Sequence, residues 1–94
     1  MSGFELDPDK ATINMAKHKL DLALGRRVFE GDFIETVDDR TDYSETRLIA
    51  IGPVASLENR ICVTVYTWRG GRRRLISFRK ANVDEIEQYR HRHG

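Results

Sequence analysis

The order of elements along this chain predicts an α+β protein: an antiparallel twisted sheet of about four strands with helices packed on one face. Three observations carry that expectation. Residues 8–29 hold two helical segments, the first opened by a proline; from residue 32 the apolar period changes to two; and Gly70-Gly71 joins two long alternating runs as a hairpin. At 94 residues the chain has room for one hydrophobic core, so a single domain over 1–94 is expected.

Taking the elements in order, Gly3-Phe4-Glu5-Leu6-Asp7 alternates apolar and acidic residues, is too short for a helix, and reads as a brief strand. Asp7-Pro8 then starts a helix. The Asp7 carboxylate can accept from the free N–H groups of the first turn, and proline at the first helical position gives up a donor that has no partner there. This helix is expected from Pro8 to Lys19, with Ala11, Met15 and Ala16 as its apolar stripe and Ile13 and Leu20 flanking it. Asp21 to Phe29 reads as a second, shorter helix ended by Gly31.

Residues 33–37 form the next strand and 38–42 a polar loop. A strand over 47–51 is expected to stop at Gly52-Pro53. Residues 61–68, rich in β-branched and aromatic side chains, make the strongest strand of the chain, and 72–79 return as its hairpin partner. Asn82 or Asp84 caps a last helix through Tyr89, after which His91-Arg92-His93-Gly94 should fray.

The net charge of +1 conceals an asymmetry. Residues 1–46 carry 6 Lys/Arg against 11 Asp/Glu, a net −5, while residues 47–94 carry 10 against 4, a net +6. Such a split points to a surface for nucleic acid or an acidic partner in the second half, or to two halves that neutralise each other in the fold. The densest stretch is Arg72-Arg73-Arg74-Leu75-Ile76-Ser77-Phe78-Arg79-Lys80-Ala81, with five cations and no acid. A single cysteine, Cys62, excludes an internal disulfide, and the acidic start of the chain does not resemble a signal peptide. No apolar run approaches the ~20 residues of a membrane helix. A cytoplasmic protein without membrane contact is expected.

A loop of two or four residues between the last two strands sets Trp68 opposite Arg73, and opposed residues share a face. In that register Ile61, Val63, Val65 and Thr67 join Arg74, Ile76 and Phe78 on a face destined for the helices. Cys62, Thr64, Tyr66 and Trp68 join Arg73, Leu75, Ser77 and Arg79 on the other. A bulge or an odd-length loop would break this assignment. The second face mixes aromatic rings with guanidinium groups, which suits stacked bases and phosphate oxygens. Alternatively, Trp68 and Tyr66 simply shield the sheet under arginine stems.

Candidates for acid–base work are few. Of three histidines only His18, beside Lys17 and Lys19 at the end of the first helix, sits on a firm element; the triplet also suits the helix dipole alone. Glu45, in Tyr43-Ser44-Glu45-Thr46, is a possible base or an ordinary solvated acid. There is no HExxH, no CxxC and no glycine-rich phosphate loop, so neither a metal nor another cofactor is expected. Cys62 in mid-strand reads as a packing residue.

The ordered set of motifs resembles the BrnT family of toxins from bacterial type II toxin–antitoxin systems. The pieces are Phe4-Glu5-Leu6-Asp7-Pro8-Asp9-Lys10 with Asn14 and Lys17-His18; Arg27-Val28-Phe29; Asp42-Tyr43-Ser44-Glu45-Thr46-Arg47 with Ile49-Ala50-Ile51-Gly52; Val65-Tyr66-Thr67; and Arg74-Leu75-Ile76-Ser77-Phe78-Arg79-Lys80-Ala81 with Glu87 and Tyr89. The resemblance implies a RelE-like fold and a metal-independent endoribonuclease that attacks the scissile phosphate with the substrate's own 2′-hydroxyl. It implies a BrnA-like antitoxin bound in a hetero-oligomer, with operator DNA reached only through that antitoxin. The residues it points to are Lys17, His18, Glu45, Arg47, Tyr66 and Arg79 as catalytic groups, with Arg74 and Ser77 binding RNA beside the hairpin pair Trp68 and Arg73. The family usually has glycine where this chain has Lys19, and a small residue where it has Phe78. The competing reading is a non-catalytic or decayed basic module that holds an acidic segment or nucleic acid.

Overall fold

The computed structural model describes residues 3–40 and 44–93, with the side chain of residue 93 left aside. Asp42 and Tyr43 of the family motif, the end of the 38–42 loop and the terminal Gly94 fall outside the described residues. The elements are β1 (Phe4–Leu6), α1 (Pro8–His18), a 3-10 helix (Leu22–Glu30), β2 (Ile34–Asp38), β3 (Arg47–Val54), a 3-10 turn (Ala55–Leu57), β4 (Arg60–Arg69), β5 (Arg72–Lys80) and α2 (Val83–His93). Among them no helix is long and apolar enough to cross a membrane.

The sheet has five strands in the order β1-β5-β4-β3-β2 and is mixed, which corrects the expected antiparallel sheet of about four. The difference comes from β1, which lies parallel to β5 with Phe4 against Arg73 and Leu6 against Leu75. Arg73 N–H donates to Gly3 O at 2.8 Å, and the Arg74 guanidinium grips Glu5 at 2.8 Å and Asp7 at 3.0 Å. Asp7 also caps α1, accepting from Asp9 N–H at 2.8 Å, so one arginine ties strand and helix start to the sheet.

Helices cover both faces, another departure from the sequence reading. The 3-10 helix packs Leu22 and Val28 against Ala50, Val54, Cys62, Tyr66, Leu75 and Phe78. On the opposite face Tyr89 of α2 packs with Ile34, Ile51, Val63 and Val65, and its hydroxyl donates to Asp32 O at 2.8 Å. Residues 62–67 of β4 are buried on both sides, and burial of each apolar row requires its own cover.

The hairpin register explains the reversed faces. Gly70 and Gly71, at φ 60° and 79°, make the two-residue turn, and Trp68 does face Arg73. Tyr66, however, pairs with Leu75 while Val65 pairs with Ser77, leaving Ile76 as the extra residue of a β-bulge. Beyond the bulge every side chain of β5 changes face. Phe78 joins Thr64 in the main core, whereas Ser77 and Arg79 join Val65 and Val63 on the α2 side.

The expected second helix is present as the 3-10 segment and lies close on the sheet: Thr64 Oγ1 donates to Gly25 O at 2.9 Å, and a Cβ on Gly25 would lie 3.1 Å from Thr64 Oγ1. Two further expectations are corrected. Strand β3 runs through Gly52-Pro53 to Val54, since β2 pairs only as far as Ile51 and no ladder partner lacks the missing proline N–H on that side. Helix α2 continues through the expected frayed residues to His93.

Candidate active site

Helix α1 packs through a polar residue. Ile13 and Met15 are exposed, and the buried side chain is Asn14, 2% exposed. Its amide nitrogen donates to Phe78 O and Leu20 O, both at 2.9 Å, while its oxygen accepts from Phe78 N–H at 2.8 Å. Strand β1 pairs with residues 73–75 only, so the backbone of Phe78 lies beyond its reach. The Asn14 amide supplies the missing ladder partner, satisfying a buried donor and acceptor that would each be costly to leave open.

This contact places chemistry. Lys17 and His18 follow Asn14 by three and four residues and therefore lie on the same side of α1. Ser77 and Arg79 flank Phe78 on β5. A cleft of about 240 Å³ forms between them, lined by Lys10, Ile13, Asn14, Lys17, His18, Arg40, Val65, Ile76, Ser77 and Arg79. Four permanent cations and one histidine surround it.

Both arginines are held by a carboxylate. The Arg79 guanidinium forks onto Glu85, Nη1 to Oε1 and Nη2 to Oε2, both at 2.7 Å. Arg40 forks onto the buried carboxylate of Asp38, with Nε and Nη2 each donating at 2.8 Å, and remains 67% exposed. The pKa of His18 is pushed below the usual imidazole value, first by burial and then by Lys17 and Arg79. Its imidazole is therefore neutral at physiological pH, the form that accepts a proton.

Of the sequence candidates, Lys17, His18, Ser77 and Arg79 come together here. Arg47, the cross-strand partner of Asp38, lies on the same sheet face but does not line the cleft. Glu45 accepts from Arg69 at 2.9 Å near the hairpin tip. Arg74 is the edge clamp described above. Tyr66 is fully buried and donates to Glu35; burial and that carboxylate raise its pKa, which keeps the phenol protonated. Arg73 lies in an aromatic nest on the other face, 4.1 Å from Phe29, 4.7 Å from Trp68 and 5.3 Å from Tyr66. Trp68 is 52% exposed there. The free thiol of Cys62 is buried and its pKa raised, chiefly by burial.

Sequence reasoning missed Arg40, Lys10 and Glu85. Lys10 sits two residues after Pro8 on α1, and Arg40 follows β2 in an Asp-x-Arg spacing that brings carboxylate and guanidinium together. Lys19, where the resemblance implied glycine, takes φ 61° and its N–H donates to Met15 O at 3.0 Å, so α1 ends in a left-handed cap.

A mixed five-stranded sheet flanked by helices, with a cleft lined by four cations and a histidine, defines a small α+β protein. The chain belongs to the BrnT family, ribonuclease toxins of type II toxin–antitoxin systems, whose family model matches residues 6–85. Among solved structures it is similar to the ribonuclease toxin BrnT of Brucella abortus, with 25% identity and a TM-score of 0.61 over 87% of this chain and 99% of that one. No curated protein sequence matches significantly. Membership in a type II system implies an antitoxin partner.

Proposed function

We propose that the chain is a metal-independent endoribonuclease that cleaves RNA in the α1–β5 cleft through the substrate's 2′-hydroxyl. The supporting observation is the convergence of Lys17, His18, Arg40, Ser77 and Arg79 on one small cleft. In this reading neutral His18 takes the proton of the 2′-hydroxyl as its oxygen bonds to phosphorus. Arg79 and Arg40 balance charge on the phosphorane, where fixed cations in a partly enclosed site act most strongly. Cleavage of the P–O5′ bond, with water giving a proton to the leaving oxygen and His18 returning its proton to solvent, yields a 2′,3′-cyclic phosphate and a 5′-hydroxyl. Lys17 and Ser77 hold non-bridging oxygens. A BrnA-like antitoxin neutralises the protein in a hetero-oligomer and carries the complex to operator DNA.

Purified protein incubated with RNA in EDTA is expected to yield cyclic-phosphate ends, with cleavage lost in Arg79→Ala and in His18→Asn. RNA that stays intact at high protein concentration, with and without ribosomes, overturns the proposal. Expression in a bacterium separates enzyme from mere binder: growth arrest abolished by Arg79→Ala supports catalysis, and harmless expression favours a non-catalytic module.

A further inference from the structure

We infer that Glu85 is a positioning residue for the cleft, fixing the guanidinium of Arg79 and coupling the start of α2 to the site; this rests on the reading of the cleft as the place where RNA is cut. The Glu85 carboxylate holds both terminal nitrogens of Arg79 at 2.7 Å. Nη1 also reaches Lys80 O at 3.3 Å. Among the described residues none accepts from the Arg79 Nε–H. That edge, with the adjoining Nη hydrogen, is the one Glu85 leaves for a phosphate. An arginine gripped by a carboxylate on one edge presents its second edge in a single orientation, whereas a loose side chain must be ordered by the substrate.

The carboxylate is itself fixed. Asn82 N–H donates to Glu85 Oε1 at 2.9 Å and Glu85 N–H donates to Asn82 Oδ1 at 2.8 Å, a reciprocal capping box at the head of α2. Glu85 therefore has two tasks, one toward the helix and one toward Arg79. It is 18% exposed at the side chain and Arg79 28%, so water competes only partly for the fork. Arg40, which also lines the cleft, repels the Arg79 guanidinium and attracts the Glu85 carboxylate.

The two tasks separate by mutation. Glu85→Gln keeps a capping-box side chain and one neutral acceptor but loses the ionic fork, whereas Asn82→Ala removes the Oδ1 half of the box and leaves the backbone N–H of residue 82 and the Arg79 fork on Glu85. In single-turnover and steady-state cleavage of a defined RNA, Glu85→Gln is expected to lower kcat by about 30- to 100-fold with KM changed less than about threefold. Asn82→Ala is expected to stay within about threefold of wild type in kcat despite a lower melting temperature. Unchanged kcat in Glu85→Gln overturns the inference and leaves Glu85 a helix cap. Faster cleavage also overturns it, by making Glu85 a competitor of the phosphate. A binding readout distinguishes these outcomes from failure of the cleavage reading. Titration of the full chain with inorganic phosphate should shift the Arg79 Nε–H resonance in wild type and Asn82→Ala, and do so only weakly in Glu85→Gln. That pattern with RNA left uncut sinks the cleavage reading and retains the positioning role; equal shifts in all three sink the positioning role.

Discussion

Replacing Asn14 with alanine removes three hydrogen bonds and strands Phe78 N–H, Phe78 O and Leu20 O. At about 1 kcal/mol net for each, the loss comes to about 3 kcal/mol, a large share of the ~5–15 kcal/mol that holds a small domain together. The cleft borders Asn14, so water can reach part of the exposed backbone and hold the cost near this net value instead of the ~1–3 kcal/mol of each fully stranded group. For a chain of this size 3 kcal/mol lowers the melting temperature by about 12 to 24 °C. Asn14→Asp keeps the acceptor for Phe78 N–H but sets a carboxylate against two carbonyl oxygens, and should be no better. Urea titration gives the stability change, and RNA cleavage below the melting transition gives the functional one, since a loosened α1 misplaces Lys17 and His18. A loss under 1 kcal/mol with cleavage unchanged would refute the claim that this amide docks the helix.

Cleavage should fall as the pH is lowered through a midpoint beneath that of free imidazole, because burial, Lys17 and Arg79 all disfavour the charged form of His18; a pH–rate profile of Lys17→Ala should move that midpoint upward. Gly52→Ala should destabilise the β2–β3 corner by about 1 to 3 kcal/mol, since the added carbon meets Asp32 O and Phe33 Cβ at 3.0 Å, and a melting curve reports it. Antitoxin association should slow as salt rises, because the +6 half of the chain is expected to meet an acidic segment; stopped-flow rates between low and high ionic strength check this, and rates indifferent to salt would point to an apolar contact.

What the sequence revealed follows from local chemistry. Asp7-Pro8 marked the first helix and Gly70-Gly71 the hairpin, and the facing of Trp68 and Arg73 came from turn length alone. The bulge at Ile76 left no comparable signal: Ile continues the apolar run, yet one extra residue sends Ser77 and Arg79 to the opposite face from Tyr66. Periodicity also misjudged α1. An apolar stripe is what a helix needs against a sheet face, but α1 lies against a strand edge, where hydrogen-bonding groups rather than apolar surface must be satisfied, and Asn14 meets that need. The Lys17-His18 and Arg79 candidates came from the helix-end triplet and the hairpin face as well as from family resemblance, and their convergence depends on this edge contact and the bulge together. Arg40 escaped notice because a loop residue owes its position to a buried carboxylate that no period reveals.

The Asn14–Phe78 contact joins residues 64 positions apart, and β1 likewise waits for β5. Lys17 and His18 are synthesised in the first fifth of the chain, Ser77 and Arg79 in the last. A growing polypeptide therefore carries the two walls of the cleft as strangers until β5 has emerged and bent back along α1. A partial chain that stops short of β5 therefore holds only one wall of the cleft.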